Sequence, residues 1–351
     1  MKILLSHVYS WPEVRRGGER YLHELSAALK RAGHDVRVVS TGPKASHDEV
    51  LGVPVTRYRR RSDDLFTAEA ALARRALLTH AAGDLDVWHA LGTADAAAAA
   101  RLSRVRRTRA VYTDLGGALR SYRSSRPDHE RFDYAVKHLD AYVCLSRSTA
   151  DLLTRDYGRG GVVVNGGVDL ARFTATAPRT EPPTVLFASA NDEPRKNLPL
   201  LLAAFDVLLA THPARLVLAG PGDPAAALQQ ATARVRAATD VVGPDVDLVG
   251  AYSSAWVTVL PSLREAFGLV LVESLACGTP IVALADSGGP AEIVTPGIGA
   301  LAAAATPDAL AQALRRALDL DNPAERCRAA AQRYGWDESI VPQLLSVYTS
   351  N

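Results

Sequence analysis

The sequence predicts an α/β protein made of two doubly wound domains. Short apolar strands alternate with amphipathic helices almost throughout, which argues for parallel sheets covered on both faces. At 351 residues the chain has room for two such domains. The composition breaks once, at Thr174-Ala-Thr-Ala-Pro-Arg-Thr-Glu-Pro-Pro183, a turn-rich stretch of the kind that links domains. The expected division is a first domain over 1–173, a linker over 174–183, a second domain over 184–335 and a final helix over 336–351.

Each element has its own signal. Lys2–Tyr9 is apolar and reads as the first strand, and a loop over Ser10–Gly18 follows it. From about Glu19 to Ala32 the residues Tyr21, Leu22, Leu25, Ala28 and Leu29 share one helical face, and Gly33 ends the helix. Further strands are expected at Asp35–Ser40, Asp86–His89, Ala110–Thr113 and Ala141–Ser146. After the linker come a strand at Thr184–Ala190, a helix over Asn197–Leu209, a strand at Arg215–Ala219 and a turn at Gly220–Asp223. Apolar strands follow at Trp256–Leu260 and Ile281–Leu284, and a late helix is capped by Thr306 with Pro307 at its first position.

Composition excludes several classes. Hydrophobic content of 48% and charge of 22% are those of an ordinary globular protein, and no apolar run is long enough to span a bilayer. The start reads as a strand and not as a signal peptide, because His7, Trp11, Pro12 and Glu13 interrupt its apolar run, so a cytoplasmic location is expected. Cys144, Cys277 and Cys327 are odd in number and widely spaced, which favours buried free thiols over disulfides or zinc. The formal charge of +2 hides an asymmetry: residues 1–177 hold 28 basic and 20 acidic side chains, the remainder 12 and 18. Basic clusters at Arg57, Arg59, Arg60 and Arg61 and at Arg101, Arg104, Arg106, Arg107 and Arg109 are either a solvated surface or a patch for an anionic acceptor or membrane surface. Aromatic residues are too sparse among them to support nucleic-acid binding.

One segment carries chemistry. Glu265-Ala-Phe-Gly-Leu-Val-Leu-Val-Glu273 follows an apolar strand ending at Pro261-Ser262, and Cys277-Gly278-Thr-Pro280 closes the helix that Phe267-Gly268 opens. Glu265 then lies in the strand-to-helix loop and Glu273 further along the helix. The N–H groups of Phe267, Gly268, Leu269 and Val270 and the positive end of the helix dipole suit a diphosphate. A carboxylate on either side suits sugar hydroxyls.

In the string Leu-Pro-Ser-Leu-Arg-Glu-Ala-Phe-Gly-Leu…Glu-Ser-Leu-Ala-Cys-Gly-Thr-Pro-Ile-Val the chain resembles the retaining glycosyltransferases of family 4, and the resemblance covers nearly its whole length. It implies the GT-B fold: two facing Rossmann-like domains with a central cleft, and a C-terminal helix crossing back to the first domain. By this resemblance Glu273 binds ribose hydroxyls and Glu265 holds hydroxyls of the donor sugar. Gly268, Leu269 and Val270 cap the diphosphate, and Lys196, in Glu193-Pro-Arg-Lys-Asn197, neutralises it as it leaves. Gly17-Gly18 match the glycine loop that closes over phosphate and sugar, or form a simple helix-entry turn. Gly288, Gly289 and Glu292 match the family's Gly-Gly-x-x-Glu, where the glycines run close to the ligand and the glutamate buttresses them.

Two departures stand out. The family's arginine shortly before the lysine is replaced by Ala190, so Arg195 is the candidate second cation. The histidine of the family's Val-x-Thr-His is replaced in Val111-Tyr-Thr-Asp114, where Asp114 is either a turn residue or a base near the acceptor. His89 resembles a family histidine near the cleft, or is a packed strand-end residue. The resemblance implies transfer of a sugar from a nucleotide-diphosphate sugar to a hydroxyl acceptor, with retention and without a metal or other cofactor. UDP is the expected nucleotide, with GDP and dTDP next. Epimerase, phosphorylase and catalytically degenerate binding readings stay open at this point, as do the acceptor and the oligomeric state.

Overall fold

The computed structural model describes residues 1–80, 83–116, 126–243 and 246–350. The chain forms two compact units, one from Met1–Gly167 with the segment from Trp336 onward, the other Val168–Gly335.

The first unit contains β1 (Lys2–Ser6), α1 (Gly17–Arg31), β2 (Asp35–Gly42), β3 (Ser46–Val50), β4 (Val53–Arg59), α2 (Leu65–His80), β5 (Val87–Ala90), α3 (Thr93–Ser103), β6 (Arg109–Asp114), α4 (Arg126–His138), β7 (Ala141–Cys144), α5 (Arg147–Tyr157) and β8 (Val162–Val163). Its sheet has the order β3-β4-β2-β1-β5-β6-β7-β8. Every neighbouring pair is parallel except β3–β4, an antiparallel hairpin that corrects the all-parallel expectation. Leu51 and Gly52 both take positive φ at its turn, the twist that suits a two-residue hairpin. Its Ser-His-Asp-Glu-Val strand is an exposed edge with no apolar face, so nothing in its pattern announces it. The α3 helix is unusual in another way. Its alanines, Ala94 and Ala96 to Ala100, are all buried, and their small side chains let it lie between its neighbours without an amphipathic stripe.

The last segment belongs to this unit. Trp336 donates its indole N–H to Glu24 at 2.9 Å and meets Tyr21 edge-on, and Arg31 holds Asp337 through two nitrogens. Gly167 is glycine because the Trp336 ring lies 2.2 Å from where a Cβ would stand. On α14 (numbered after the helices of the second unit; Val341–Thr349), Tyr348 pairs at 2.6 Å with buried His89, which also meets Thr113. Burial drops the His89 pKa to about 3, so the ring is neutral and packed.

The second unit contains β9 (Thr184–Phe187), α6 (Leu198–Leu209), β10 (Arg215–Ala219), α7 (Ala225–Gln230), α8 (Ala233–Ala237), β11 (Thr239–Val242), α9 (Leu248–Ser254), β12 (Val257–Leu260), α10 (Leu269–Ala276), β13 (Ile281–Leu284), α11 (Gly289–Ile293), β14 (Gly299–Ala302), α12 (Pro307–Leu318) and α13 (Ala324–Ala331). The order β11-β10-β9-β12-β13-β14, parallel throughout, is that of a doubly wound sheet with its switch between β9 and β12. The stretch 174–183 packs on this unit instead of spanning a gap, and the chain passes between units at Gly167–Val168. Ser253 donates to the Thr174 carbonyl, Trp256 donates its indole N–H to that of Thr180, and Thr180 N donates to Ser254. Its Pro- and Thr-rich composition records irregular backbone, not absence of packing.

All three cysteines are buried and free, with thiols pushed up to about 12 by burial. Of the basic clusters, Arg57 is buried against Asp48 and the Trp11 carbonyl, and Arg60 pairs with Glu13, so these two are structural. Arg104, Arg106 and Arg107 remain exposed beside Val105. Among the described residues no helix is long and apolar enough to cross a membrane.

Two buried acids sit at the start of α3. Glu69 on α2 accepts from the N–H groups of Thr93 and Ala94, yet burial raises its pKa to about 6. Asp95 is pushed well above the carboxylate range by burial and then by Glu69. A carboxyl whose folded pKa is raised is fully accommodated below its unfolded value, and its stability is lost as pH rises through the folded one. Between pH 4.5 and about 6 wild type should therefore lose about 2 kcal/mol from Glu69, and Asp95 adds a loss of the same sign. Glu69→Gln should flatten the curve over that window; urea unfolding at pH 4.5 and 7 that gives parallel curves for both proteins contradicts this.

Candidate active site

In a doubly wound sheet, ligands lie outside the carboxyl ends of the strands at the switch point. In the second unit that point is flanked by the loops after β9 and β12. The first loop ends in a 3-10 turn at Pro194–Lys196, and Asn197 in left-handed conformation starts α6. The second runs from Pro261 to Gly268, and Leu263 N donates to the Arg195 carbonyl, tying the two together. Here three charges meet. Lys196 Nζ lies 2.5 Å from Glu265 Oε2, and an Arg195 nitrogen lies 2.9 Å from the same oxygen. Arg195 also reaches Glu193 at 2.8 Å. Burial raises the Glu265 pKa, but Lys196 and Arg195 outweigh it and hold the carboxyl below its ordinary range. Glu265 is therefore ionised and doubly compensated.

A third loop, after β13, completes the frame. Glu265 N donates to the Ser287 carbonyl at 2.8 Å, and Gly289 N returns a bond to the Glu265 carbonyl at 2.9 Å. A Cβ on Gly289 would stand 2.3 Å from the Ala266 carbonyl oxygen, so only glycine allows the two loops to run this close. Gly288 takes φ of +87° and Gly268, the N-cap of α10, +102°. The α10 helix then begins with half-exposed Leu269 and Val270, whose N–H groups are those a helix leaves without intrahelical partners. Phe267 is buried edge-on to Tyr334. Glu292 is exposed in the first turn of α11. Glu273 sits one turn into α10, almost wholly buried, and accepts from the Tyr252 hydroxyl at 2.8 Å.

In the first unit the loop after β1 is held from below. Buried His23 contacts the Ser10 hydroxyl and accepts from Trp11 N, while burial and then Arg57 depress its pKa to about 4 and keep it neutral. Gly17 and Gly18 are the first two residues of α1, and Glu19 Oε2 accepts from the Arg16 backbone N–H at 3.1 Å. The space beside Gly18 is bounded by Leu115, 3.3 Å from a notional Cβ, and by the His7 ring. Asp114 ends β6, buried, with Tyr142 donating to Oδ2 at 2.7 Å and Gly116 N to Oδ1 at 3.0 Å. These two bonds hold the turn that follows β6.

Residues 172–334 match the family described as Glycosyl transferases group 1, and residues 15–172 match Glycosyltransferase Family 4. A glycogen synthase of Mycobacterium tuberculosis is 33% identical, covering 99% of this chain and 94% of its own. The chain belongs to glycosyltransferase family 4. It is a hexosyltransferase that draws on a nucleotide-sugar donor. A phosphatidyl-myo-inositol mannosyltransferase of Propionibacterium freudenreichii is 28% identical over 99% of this chain and 95% of its own. The fold is that of the GT-B enzymes. Sucrose-phosphate synthase from Thermosynechococcus elongatus superposes with a TM-score of 0.80 at 22% identity, covering 99% of this chain and 98% of that one. Anabaena HepE in complex with UDP-glucose does so at 0.78 and 21%, covering 99% and 100%.

Against the family pattern, Ala190 leaves no cation at its position, but Arg195 brings one to Glu265 by another route. Lys196, Arg195 and Glu265 are thus brought together, whereas Glu273 belongs to a separate buried pair with Tyr252. Sequence reading missed Tyr252, Tyr142 and Glu193. Tyr252 and Glu273 lie 21 residues apart on different helices, a spacing that no local pattern reports. Gly289→Ala should cost on the order of 2 kcal/mol through overpacking of the two loops. A urea unfolding midpoint unchanged from wild type would show that the loops part freely.

Proposed function

We propose that the protein transfers a hexose from a UDP-sugar to a sugar or polyol hydroxyl, with retention of configuration and without a divalent metal. The observation that carries this reading is the convergence of Lys196 and Arg195 on Glu265 at the switch point of the second unit, beside the open start of α10. Breaking the bond from the anomeric carbon to phosphate leaves negative charge on the diphosphate. Two cations and the N–H groups of Gly268, Leu269 and Val270 stabilise it where a metal would otherwise be needed. Glu265 accepts from hydroxyls of the transferred sugar, and Glu273 from those of the ribose. Gly17 and Gly18 let backbone approach a ligand, and Gly288, Gly289 and Glu292 shape the loop next to Glu265.

Retention is favoured because, among the described residues, the two candidate carboxylates are already engaged. Asp114 is engaged by Tyr142 and Gly116, and Glu265 is neutralised by two cations, which makes it a poor nucleophile. The departing phosphate oxygen then takes the acceptor's proton while the acceptor oxygen bonds the anomeric carbon on the face that phosphate leaves. UDP is chosen because HepE, similar in fold, was solved with UDP-glucose. The acceptor class follows what the relatives' names share, glycogen and inositol being hydroxyl-rich. A catalytically degenerate subunit is not favoured, since Arg195 supplies the charge that Ala190 lacks.

Calorimetric titration with UDP, GDP, ADP and dTDP, with and without magnesium, is expected to show UDP binding tightest and unaffected by the metal. No binding to any of them would sink the donor site. Lys196→Ala should lower turnover roughly 10²-fold, a far larger effect than its loss of stability, because Arg195 still compensates Glu265; wild-type turnover in the folded variant would remove the lysine from the reaction. Proton NMR of the first-formed product should show the donor's anomeric configuration.

A further inference from the structure

A cavity of about 380 Å³ opens in the first unit at the starts of β6 and β7, against the β8 edge and the last turn of α14. Arg109 begins β6 and Asp114 ends it, so the cavity lies roughly 16 Å along the strand from the turn that Asp114 holds. Its volume falls in the range of small-molecule sites, about 300–1,000 Å³. The charge on its wall is not compensated. Among the described residues the Arg109 guanidinium makes no hydrogen bond or ion pair, and its Nε is shut off from solvent. A buried charged donor without a partner is costly to keep. Arg159, just after α5, donates to the Leu139 carbonyl at 2.7 Å and to that of Val136, which spends only part of its fork. Asp140 is the one acid among the described lining residues, and its Oδ2 already accepts from Ala110 N at 2.7 Å.

The wall that α14 supplies is of another kind. Gln343, Ser346 and Ser350 are exposed there, and a helix end leaves its last carbonyls without intrahelical partners, acceptors for hydroxyl donors. Val162, Val163 and Val347 add apolar surface. Two guanidiniums suit a phosphate, whose oxygens match the arginine fork, while the amide, hydroxyls and carbonyls suit a hydroxylated body. We propose that this cavity is a second ligand site, separate from the donor site, for the phosphate monoester of a small polyol. Arg109 and Arg159 take the phosphate, and the end of α14 takes the hydroxyls. The occupant would join the starts of β6 and β7 to the final helix.

The test is calorimetric titration of the full chain with glycerol 3-phosphate, inorganic phosphate and glycerol, alone and with saturating UDP. Glycerol 3-phosphate should bind at least about tenfold more tightly than inorganic phosphate, glycerol should not bind, and UDP should change neither result. Arg109→Ala should weaken glycerol 3-phosphate at least about tenfold and leave the UDP affinity as it is. Gln343→Glu, at an exposed helix position, should weaken it too by bringing a carboxylate to the rim, and decides the matter if the arginine variant does not fold. No binding of glycerol 3-phosphate by wild type at millimolar concentration overturns the proposal. So does binding that both variants keep, or that UDP displaces, since the phosphate then sits in the donor site. Equal affinity for phosphate and glycerol 3-phosphate overturns the polyol assignment.

Discussion

The second unit is organised around the ion cluster at Glu265. Two cations on one loop and a carboxylate on another would each be costly to hold half-buried alone, and each compensates the others. The backbone repeats the same link. Glu265 bonds the loop after β13 through both its N–H and its carbonyl, and Leu263 bonds the loop after β9. Three loops from three adjacent strands are thereby fixed at the one place where a doubly wound sheet presents its strand ends to a ligand. The glycine at 289 is the steric condition for this, since any side chain there would force the loops apart.

The first unit depends on a different kind of constraint, a set of neutral buried polar groups. His23 and His89 are both depressed far below the usual imidazole range; His89 spends both nitrogens on neighbours within the unit, and His23 binds the loop after β1 through Nε2. His23 secures the loop that leads to Gly17. His89 joins α14 to Thr113, one residue from Asp114. The final segment is therefore part of the scaffold beneath the strand ends, and Trp336 against Glu24 and Tyr21 locks it there. His89, which in sequence resembles a family histidine near the cleft, is packed between Tyr348 and Thr113.

Much of this was legible in the chain. The strands at Arg215–Ala219 and Ile281–Leu284 and the cap at Thr306 were readable because apolar runs and side-chain caps are local signals. So was the loop-then-helix placement of Glu265 and Glu273. The hairpin at β3–β4 was not, because an exposed edge strand has no apolar face to report. The buried alanines of α3 gave no stripe, since small residues can be buried all round. The stretch 174–183 misled for the opposite reason, as its composition resembles a linker while its hydrogen bonds go to α9 and to Trp256 just before β12. At the candidate site, what sequence could not supply was partnership: Tyr142 on Asp114 and Tyr252 on Glu273 are contacts between distant elements.

The route by which Arg195 replaces a missing cation shows why. Judged by position, Ala190 is a loss, because the strand end where the family carries its arginine has no charge. Judged in space, the relevant quantity is charge near Glu265, and the 3-10 turn at Pro194–Lys196 supplies it twice. Consecutive residues in such a turn point about a third of a revolution apart, so two neighbouring cations would ordinarily diverge. Both reach a single oxygen, Oε2, because Glu265 stands opposite the turn and Glu193 holds Arg195 from behind. The carboxylate thus keeps both cations in place, and under the proposed function a diphosphate would find them already oriented. Little reorganisation is then required when the leaving group develops its charge, which is the condition under which fixed charges accelerate a reaction.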